Sequence, residues 1–494
     1  MTNLSKSNLT EKSYRTKDWA RVSKPQAWSK SIAQPASEFL LTSLPVLTGK
    51  IPPNLRGTLY RNGPGRLSRG NKRVGHWFDG DGAVLGVNFT EAGATAVYRY
   101  VQTQGYQDET AADTFLYPNY GMKTPGAFWN NWLKSVKNSA NTSVLALNDR
   151  LLALWEGGLP HALDLASLET WETDNLGGLS NKQTFSAHPK VDSDTGEIFN
   201  FGITVGLNAT LNLYRCDRTG KLKQQNTFSL TGLPVIHDFV LAGQYLVFLV
   251  SPVRINLVPI FLGQKSFSDA MEWKPELGTK ILVFDRDTLS LVSNGEAEPW
   301  YQWHFSNGYV EQDGTIALEL VRYEDFQTNK YLKEVATGYI ETPAKGTLWS
   351  LKFNPQTGKV IEIKQLINNG CEFPTVAPHL VGQPWRYTYL SVSGHGYDAD
   401  LSQELFNAIA VYDRHTSNLS IADMGANCYP SEPIFVPQTA NSDKGWLLTV
   451  VYDSDRDSSE VRIYQSDRLF EQPICRLGLP SVVPPSFHGT WKSA

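Results

Sequence analysis

Nine histidines are scattered through the 494 residues. Four of them sit in apolar or aromatic surroundings: His188 in Phe185-Ser186-Ala187-His188-Pro189, His237 in Val235-Ile236-His237-Asp238-Phe239, His304 in Trp303-His304-Phe305-Ser306-Asn307, and His488 in Pro484-Pro485-Ser486-Phe487-His488-Gly489-Thr490-Trp491. Imidazole is a common ligand for transition metals. The separations of 49, 67 and 184 residues match no local signature such as H-E-x-x-H, so a shared site requires a fold that carries distant segments to one point. Three glutamates lie in similar settings: Glu156 in Leu154-Trp155-Glu156-Gly157-Gly158, Glu372 in Cys371-Glu372-Phe373-Pro374, and Glu432 in Ser431-Glu432-Pro433-Ile434. A buried carboxylate is costly unless paired, and a ligating imidazole usually gives its second N–H to such a group. Taken singly, a hydrogen-bonded core histidine and a structural ion pair remain the commoner explanations.

Other chemistries leave less trace. Cys216, Cys371, Cys428 and Cys475 form no C-x-x-C pair and are too few for a disulfide scaffold, so a reducing cytosol is expected and a structural zinc cluster is not. The glycine-rich turn His76-Trp77-Phe78-Asp79-Gly80-Asp81-Gly82 completes neither G-x-x-x-x-G-K-[ST] nor G-x-G-x-x-G, and no G-x-S-x-G nucleophile elbow occurs. A net charge of -4 without a basic tract argues against nucleic acid as a partner.

The elements that must position these residues are strands. With 39 glycines, 27 prolines and 14 tryptophans, 21 tyrosines and 22 phenylalanines, the composition suits many short strands joined by tight turns. Short strands are expected at Thr58–Arg61, Ala83–Asn88, Val144–Leu147, Leu151–Trp155 and Ile198–Phe201. Turn chemistry recurs at Ala242-Gly243, Asp313-Gly314, Thr357-Gly358 and Asp443-Lys444-Gly445. Ile281-Leu282-Val283-Phe284-Asp285-Arg286 returns as Ile409-Ala410-Val411-Tyr412-Asp413-Arg414 and more loosely as Leu348-Trp349-Ser350-Leu351-Lys352-Phe353. Units of roughly 40 to 50 residues, each a few strands long, indicate propeller blades. In a propeller the innermost strand of every blade faces the axis, so dispersed ligands can converge there. The expected organisation is a loose polar arm over 1–30 and one all-β propeller domain over 31–494.

Two stretches break the pattern. Between Pro125 and Lys137, the residues Phe128, Trp129, Trp132, Leu133 and Val136 recur at helical spacing. Leu257-Val258-Pro259-Ile260-Phe261-Leu262-Gly263 reads as a proline-broken apolar loop. Either stretch could pack on the propeller or sit at a lipid headgroup boundary. The first thirty residues hold no apolar core of a signal peptide, and no apolar run approaches the roughly 20 residues of a membrane span.

Together these blocks resemble the carotenoid cleavage oxygenase family, most closely its cyanobacterial apocarotenoid oxygenases. The resemblance runs from Gly57-Thr58-Leu59-Tyr60-Arg61-Asn62-Gly63-Pro64-Gly65 and Phe78-Asp79-Gly80-Asp81-Gly82, through Leu152-Ala153-Leu154-Trp155-Glu156-Gly157-Gly158, Ser186-Ala187-His188-Pro189, Ile236-His237-Asp238-Phe239 and Cys371-Glu372-Phe373-Pro374, to Glu432-Pro433-Ile434-Phe435-Val436-Pro437 and Phe487-His488-Gly489-Thr490-Trp491. It is looser at Gly308-Tyr309 and Ala83, which leaves substrate preference open.

The resemblance implies a seven-bladed β-propeller, with short helices and loops capping one face. It implies one non-haem Fe(II) per chain, held on the axis by His188, His237, His304 and His488, with Glu156, Glu372 and Glu432 behind three of them. The implied reaction is O2-dependent cleavage of a conjugated double bond in an apocarotenoid, with the 15,15' bond and retinal as the expected case. Such substrates dissolve in membranes. The expected location is therefore cytoplasmic with peripheral membrane association, through Phe128, Trp129, Trp132, Leu133, Val258, Ile260, Phe261 and Leu262. A stilbene-cleaving dioxygenase and a non-catalytic apocarotenoid-binding propeller are the rival readings.

Overall fold

Alternating strands and aspartate-bearing turns build seven antiparallel sheets arranged as the blades of a propeller. The computed structural model describes residues 26–123, 125–126, 135–394 and 404–494. From the axis outward, blade 2 consists of Ser143–Ala146, Leu151–Leu154, His161–Leu163 and Thr170–Thr173. Blade 3 consists of Lys190–Val191, Ile198–Val205, Ala209–Cys216 and Leu222–Leu230. Blade 4 has Val240–Ala242, Tyr245–Val250, Thr279–Asp285 and Leu291–Ala297, and blade 5 has Phe305–Val310, Ile316–Arg322, Thr347–Phe353 and Val360–Gln365. Blade 6 has Cys371–Thr375, Tyr387–Val392, Ala408–Asp413 and Asn418–Ile421.

The recurring Ile281, Leu348 and Ile409 segments therefore occupy one structural position, the third strand of blades 4, 5 and 6. A short acceptor closes each following turn: Asp285 accepts from Thr288 N at 2.8 Å, Asn354 from Gln356 N at 2.9 Å, and Asp413 from His415 N at 3.0 Å. A short side-chain acceptor satisfies turn N–H groups that the ladder cannot reach.

The two ends of the described chain close the ring. In blade 1, the C-terminal strand Gly489–Ser493 lies innermost against Gly57–Arg66, followed outward by Asp81–Thr90, Gly93–Tyr100 and Phe39–Ser43. In blade 7, Cys428–Pro430 and Ile434–Pro437 line the axis side of Gly445–Asp453, followed by Ser458–Gln465, Cys475–Gly478 and finally the N-terminal Val46–Gly49. The closure is close-fitting. A Cβ on Gly63 would sit 2.6 Å from Ser486 Cα, and one on Gly489 2.6 Å from Tyr60 O.

Several local expectations shift. The strands around Thr58 and Ala83 run to ten residues each, because each pairs with a neighbour along its whole length. Most of the arm expected over 1–30 lies outside the described residues, but its last residues are packed. Ala27–Ile32 forms a 3-10 helix with Trp28 fully buried among Val335, Ile340 and Tyr331. An indole of that size removes enough apolar surface from water to hold the segment down. Leu257–Phe261 is a short helix rather than a loop: Asn256 caps it by accepting from Val258 N at 3.2 Å, and Pro259 sits in the first turn, where its missing N–H costs nothing. Phe128, Trp129, Trp132 and Leu133 lie outside the described residues.

Candidate metal centre

Each of the four histidines occupies the same place in its blade, at the entry to the innermost strand. His188 stands two residues before Lys190–Val191 and His237 three before Val240–Ala242, while His304 and His488 directly precede Phe305–Val310 and Gly489–Ser493. Blades 3, 4, 5 and 1 thus deliver one imidazole each to the axis. The Nε2 atoms of His188 and His237 are 3.0 Å apart, and those of His237 and His304 3.2 Å. Candidate ligand atoms of all four lie within 4.8 Å of one another.

Four imidazoles converging on a common point suit a cation far better than they suit each other. Donors about 2.1 Å from a common ion would stand about 3 Å from their neighbours, which matches the 3.0 and 3.2 Å found. The backbone holds His488 from both sides, since Asn62 N donates to His488 O at 2.9 Å and His488 N to Thr142 O at 3.2 Å.

The carboxylates stand behind this cluster. His304 Nδ1 meets Glu372 Oε2 at 2.5 Å, and His488 Nδ1 meets Glu432 Oε1 at 2.9 Å. His237 Nδ1 faces Glu156 Oε1 at the looser distance of 3.4 Å, and His188 Nε2 lies 3.7 Å from the same oxygen. Occupation of Nδ1 by an acceptor fixes the tautomer in which Nε2 keeps a lone pair for an ion. Glu372 is held by Tyr323 Oη at 3.2 Å and by Phe373 N at 2.6 Å.

Burial, reinforced by the neighbouring imidazoles, holds His188 and His237 well below the ordinary histidine value. It also lowers His488, against the pull of Glu432. Burial acts the same way on His304, but Glu372 outweighs it and raises the imidazole above its ordinary value. Burial pushes the Glu156 carboxyl well above the carboxylate range, and no hydrogen bond reaches its Oε1 among the described residues. A cation among the imidazoles would reverse that balance, because it supplies the positive charge the oxygen lacks.

Sequence reasoning passed over two contributors. Arg61 is 1% exposed. Its guanidinium donates to Glu432 O at 2.7 Å, Phe487 O at 2.9 Å and Ser486 Oγ at 3.0 and 3.1 Å, with Glu432 Oε2 at 3.4 Å. The available signal was a strand arginine flanked by Tyr60 and Asn62 in a run otherwise free of charge up to Gly65. Thr142 stands just before the innermost strand of blade 2, the place that the histidines fill elsewhere, and faces the large cavity.

That cavity, about 1060 Å³, ends on His237, His304, His488, Glu156 and Glu372. Its walls include Trp77, Phe78, Trp155, Trp303, Phe373 and Phe487. Trp303 meets the His237 ring edge-on at 5.0 Å, and Phe373 stacks on His304 at 5.5 Å. Thr328, Tyr331 and Leu332, from the helix Gln327–Val335, cap it. Ile255 also lines it, and the chain continues from there into the short helix carrying Val258, Phe261 and Leu262, which are 65%, 53% and 53% exposed. Ile260 is only half-buried. No helix among the described residues is long and apolar enough to cross a membrane.

A family model described as retinal pigment epithelial membrane protein matches residues 32–493. The chain is 32% identical to the apocarotenoid-15,15'-oxygenase of Synechocystis over 98% of both chains. It is 26% identical to resveratrol cleavage oxygenase 1 of Aspergillus fumigatus, over 90% of this chain and 91% of that one. The solved structure of cobalt-substituted Synechocystis apocarotenoid oxygenase is similar with a TM-score of 0.84 at 31% identity, covering 95% of this chain and 99% of the other.

Proposed function

The chain belongs to the carotenoid cleavage oxygenase family, and from that membership we propose that it cleaves an apocarotenal at the 15,15' double bond with O2, giving retinal, at a ferrous ion held by His188, His237, His304 and His488. The observation that carries this reading is the aromatic-walled cavity of about 1060 Å³ that ends on three of the four clustered imidazoles, His237, His304 and His488. Its volume is at the upper end for small-molecule pockets, which suits a long polyene better than a stilbene.

Four neutral ligands leave a divalent ion its full charge, with the compensating carboxylates one layer further out. A ferrous ion bound there would supply O2 activation, both oxygen atoms entering the two carbonyl products as the carbon–carbon double bond breaks. The protein's own groups do the rest. Glu372 and Glu432 fix the tautomers of His304 and His488, with Glu156 behind His237. Trp155, Trp303 and Phe373 exclude water, hold the polyene straight and offer ring faces to positive charge developing along it. No side chain is required as a general base.

Val258, Phe261 and Leu262, next to the cavity wall at Ile255, support peripheral docking on a lipid surface from which an apolar substrate can enter. The whole of 31–494 is read as one catalytic domain.

The test is anaerobic purification with metal analysis, reconstitution with Fe(II), and addition of a β-apocarotenal and O2 with chromatography of the aldehydes. Retinal from the parent, with neither iron nor product in His304→Ala, is expected. Reconstituted protein that leaves the polyene intact, or cuts only a stilbene, refutes the proposal.

A further inference from the structure

The four-imidazole cluster separates a large, mainly apolar cavity from a smaller one of mixed lining. His237, His304 and His488 face the large aromatic one, whereas His188, His304 and His488 also line a second cavity of about 280 Å³. The innermost strands of all seven blades contribute to this second cavity, which therefore lies along the propeller axis. It reaches from the imidazoles to the exposed Pro378 and Val191.

Its lining is mixed, with Lys190, Asp238, Ser306 and Thr375 standing among Val240 and Phe305, where the larger cavity is mainly apolar. Asp238 follows His237 directly, so the two neighbours face opposite cavities. Its carboxylate is held by Phe239 N at 2.8 Å, Phe305 N at 3.0 Å and Lys190 Nζ at 2.8 Å. The Lys190 side chain is 20% exposed, placing a fixed cation on the outer side of this carboxylate.

We propose that the axial cavity is the route by which a hydrated divalent transition-metal ion reaches and leaves the four imidazoles, with the Lys190–Asp238 pair setting its rate. The inference rests on the reading of the imidazoles as a metal site. A divalent ion sheds water only where oxygen or nitrogen donors replace it, and stripping its shell against aromatic walls is prohibitive. The axial cavity offers the hydroxyl oxygens of Ser306 and Thr375 and the Asp238 carboxylate along the way, with space for an ion and several waters, each occupying about 30 Å³. The large cavity offers mainly rings and aliphatic groups, with Lys182 and Lys345 among its polar wall residues to repel a cation, and is the place of the polyene. Lys190 neutralises Asp238 and repels an incoming cation, which slows exchange in both directions without touching the final coordination.

Cobalt(II) uptake by the metal-free full-length chain, followed by visible absorption, tests this, together with loss to a chelator. Lys190→Met is expected to take up and release cobalt about fivefold faster, with the effect shrinking as salt screens the charge. Val191→Trp, at the outer end, should slow both directions about tenfold, while Val205→Trp, in the wall of the large cavity, should leave them unchanged. Final occupancy should equal the parent's in all three. Parent-like rates in both axial variants, or slowing by Val205→Trp instead, overturn the route. A parent that binds no cobalt at equilibrium overturns the four-imidazole reading itself, and the route with it.

Discussion

Replacing Arg61 by methionine should unfold much of the protein's margin of stability, although residue 61 touches none of the four imidazoles. The guanidinium is 1% exposed, and burial lowers its pKa only to about 10, so it stays cationic at neutral pH. It donates to two buried carbonyls, Glu432 O and Phe487 O, and faces the Glu432 carboxylate, which His488, Arg61 and Gly489 N together keep below the ordinary carboxylate value despite burial. Methionine fills similar space and donates nothing. Each carbonyl left without a donor costs roughly 1–3 kcal/mol, and breaking a buried ion pair costs about 3–5 kcal/mol. These terms overlap, so a loss of at least about 4 kcal/mol is expected, against a typical total of about 5–15 kcal/mol. Because Glu432 aims His488, the metal-loaded variant should also release its ion faster. Urea unfolding of the metal-free protein isolates the first effect, and release to a chelator reads the second. Arg61→Lys keeps the charge but loses the fork and should fall between. A loss below about 1 kcal/mol in Arg61→Met would refute the assignment of Arg61 as the brace between Glu432 and the C-terminal segment.

Glu372→Gln should lower activity by roughly ten- to a hundredfold through weaker orientation of His304, and steady-state turnover with metal analysis checks this; full activity removes Glu372 from the site. Phe261→Ser with Leu262→Ser should reduce sedimentation with liposomes while sparing turnover of detergent-dissolved substrate, and undiminished sedimentation would remove the helix from the docking surface. His76 is buried, accepts from Phe78 N at 3.1 Å, and is pushed by burial down to about 3. Its folded value lies below its unfolded one, so the associated stability is complete above about pH 6.5 and is lost as pH falls toward 3. Unfolding free energies from urea titration at pH 7 and pH 5 should therefore differ by roughly 2 kcal/mol more in the parent than in His76→Gln, and equal differences would place the acid sensitivity elsewhere.

Much of this protein was legible in its sequence because the signals are local. Strand alternation, glycine turns and aspartates that cap them act over a few residues, and their recurrence at Ile281, Leu348 and Ile409 marks one blade position repeated. The residues around His188, His237, His304 and His488 were legible as family blocks for the same reason. Tertiary structure decided what depends on separation. Only ring closure brings His488 within reach of Asn62 and Thr142, and Arg61 within reach of Glu432, 371 residues away. Trp28 reads as part of a polar arm until the helix Gln327–Val335 supplies its pocket. The axial cavity belongs to no segment, being enclosed by strands from all seven blades. Local hydrogen bonding and side-chain periodicity are encoded residue by residue, whereas burial, ion pairing and the shape of a cavity are properties of surfaces that meet only after the chain has closed on itself.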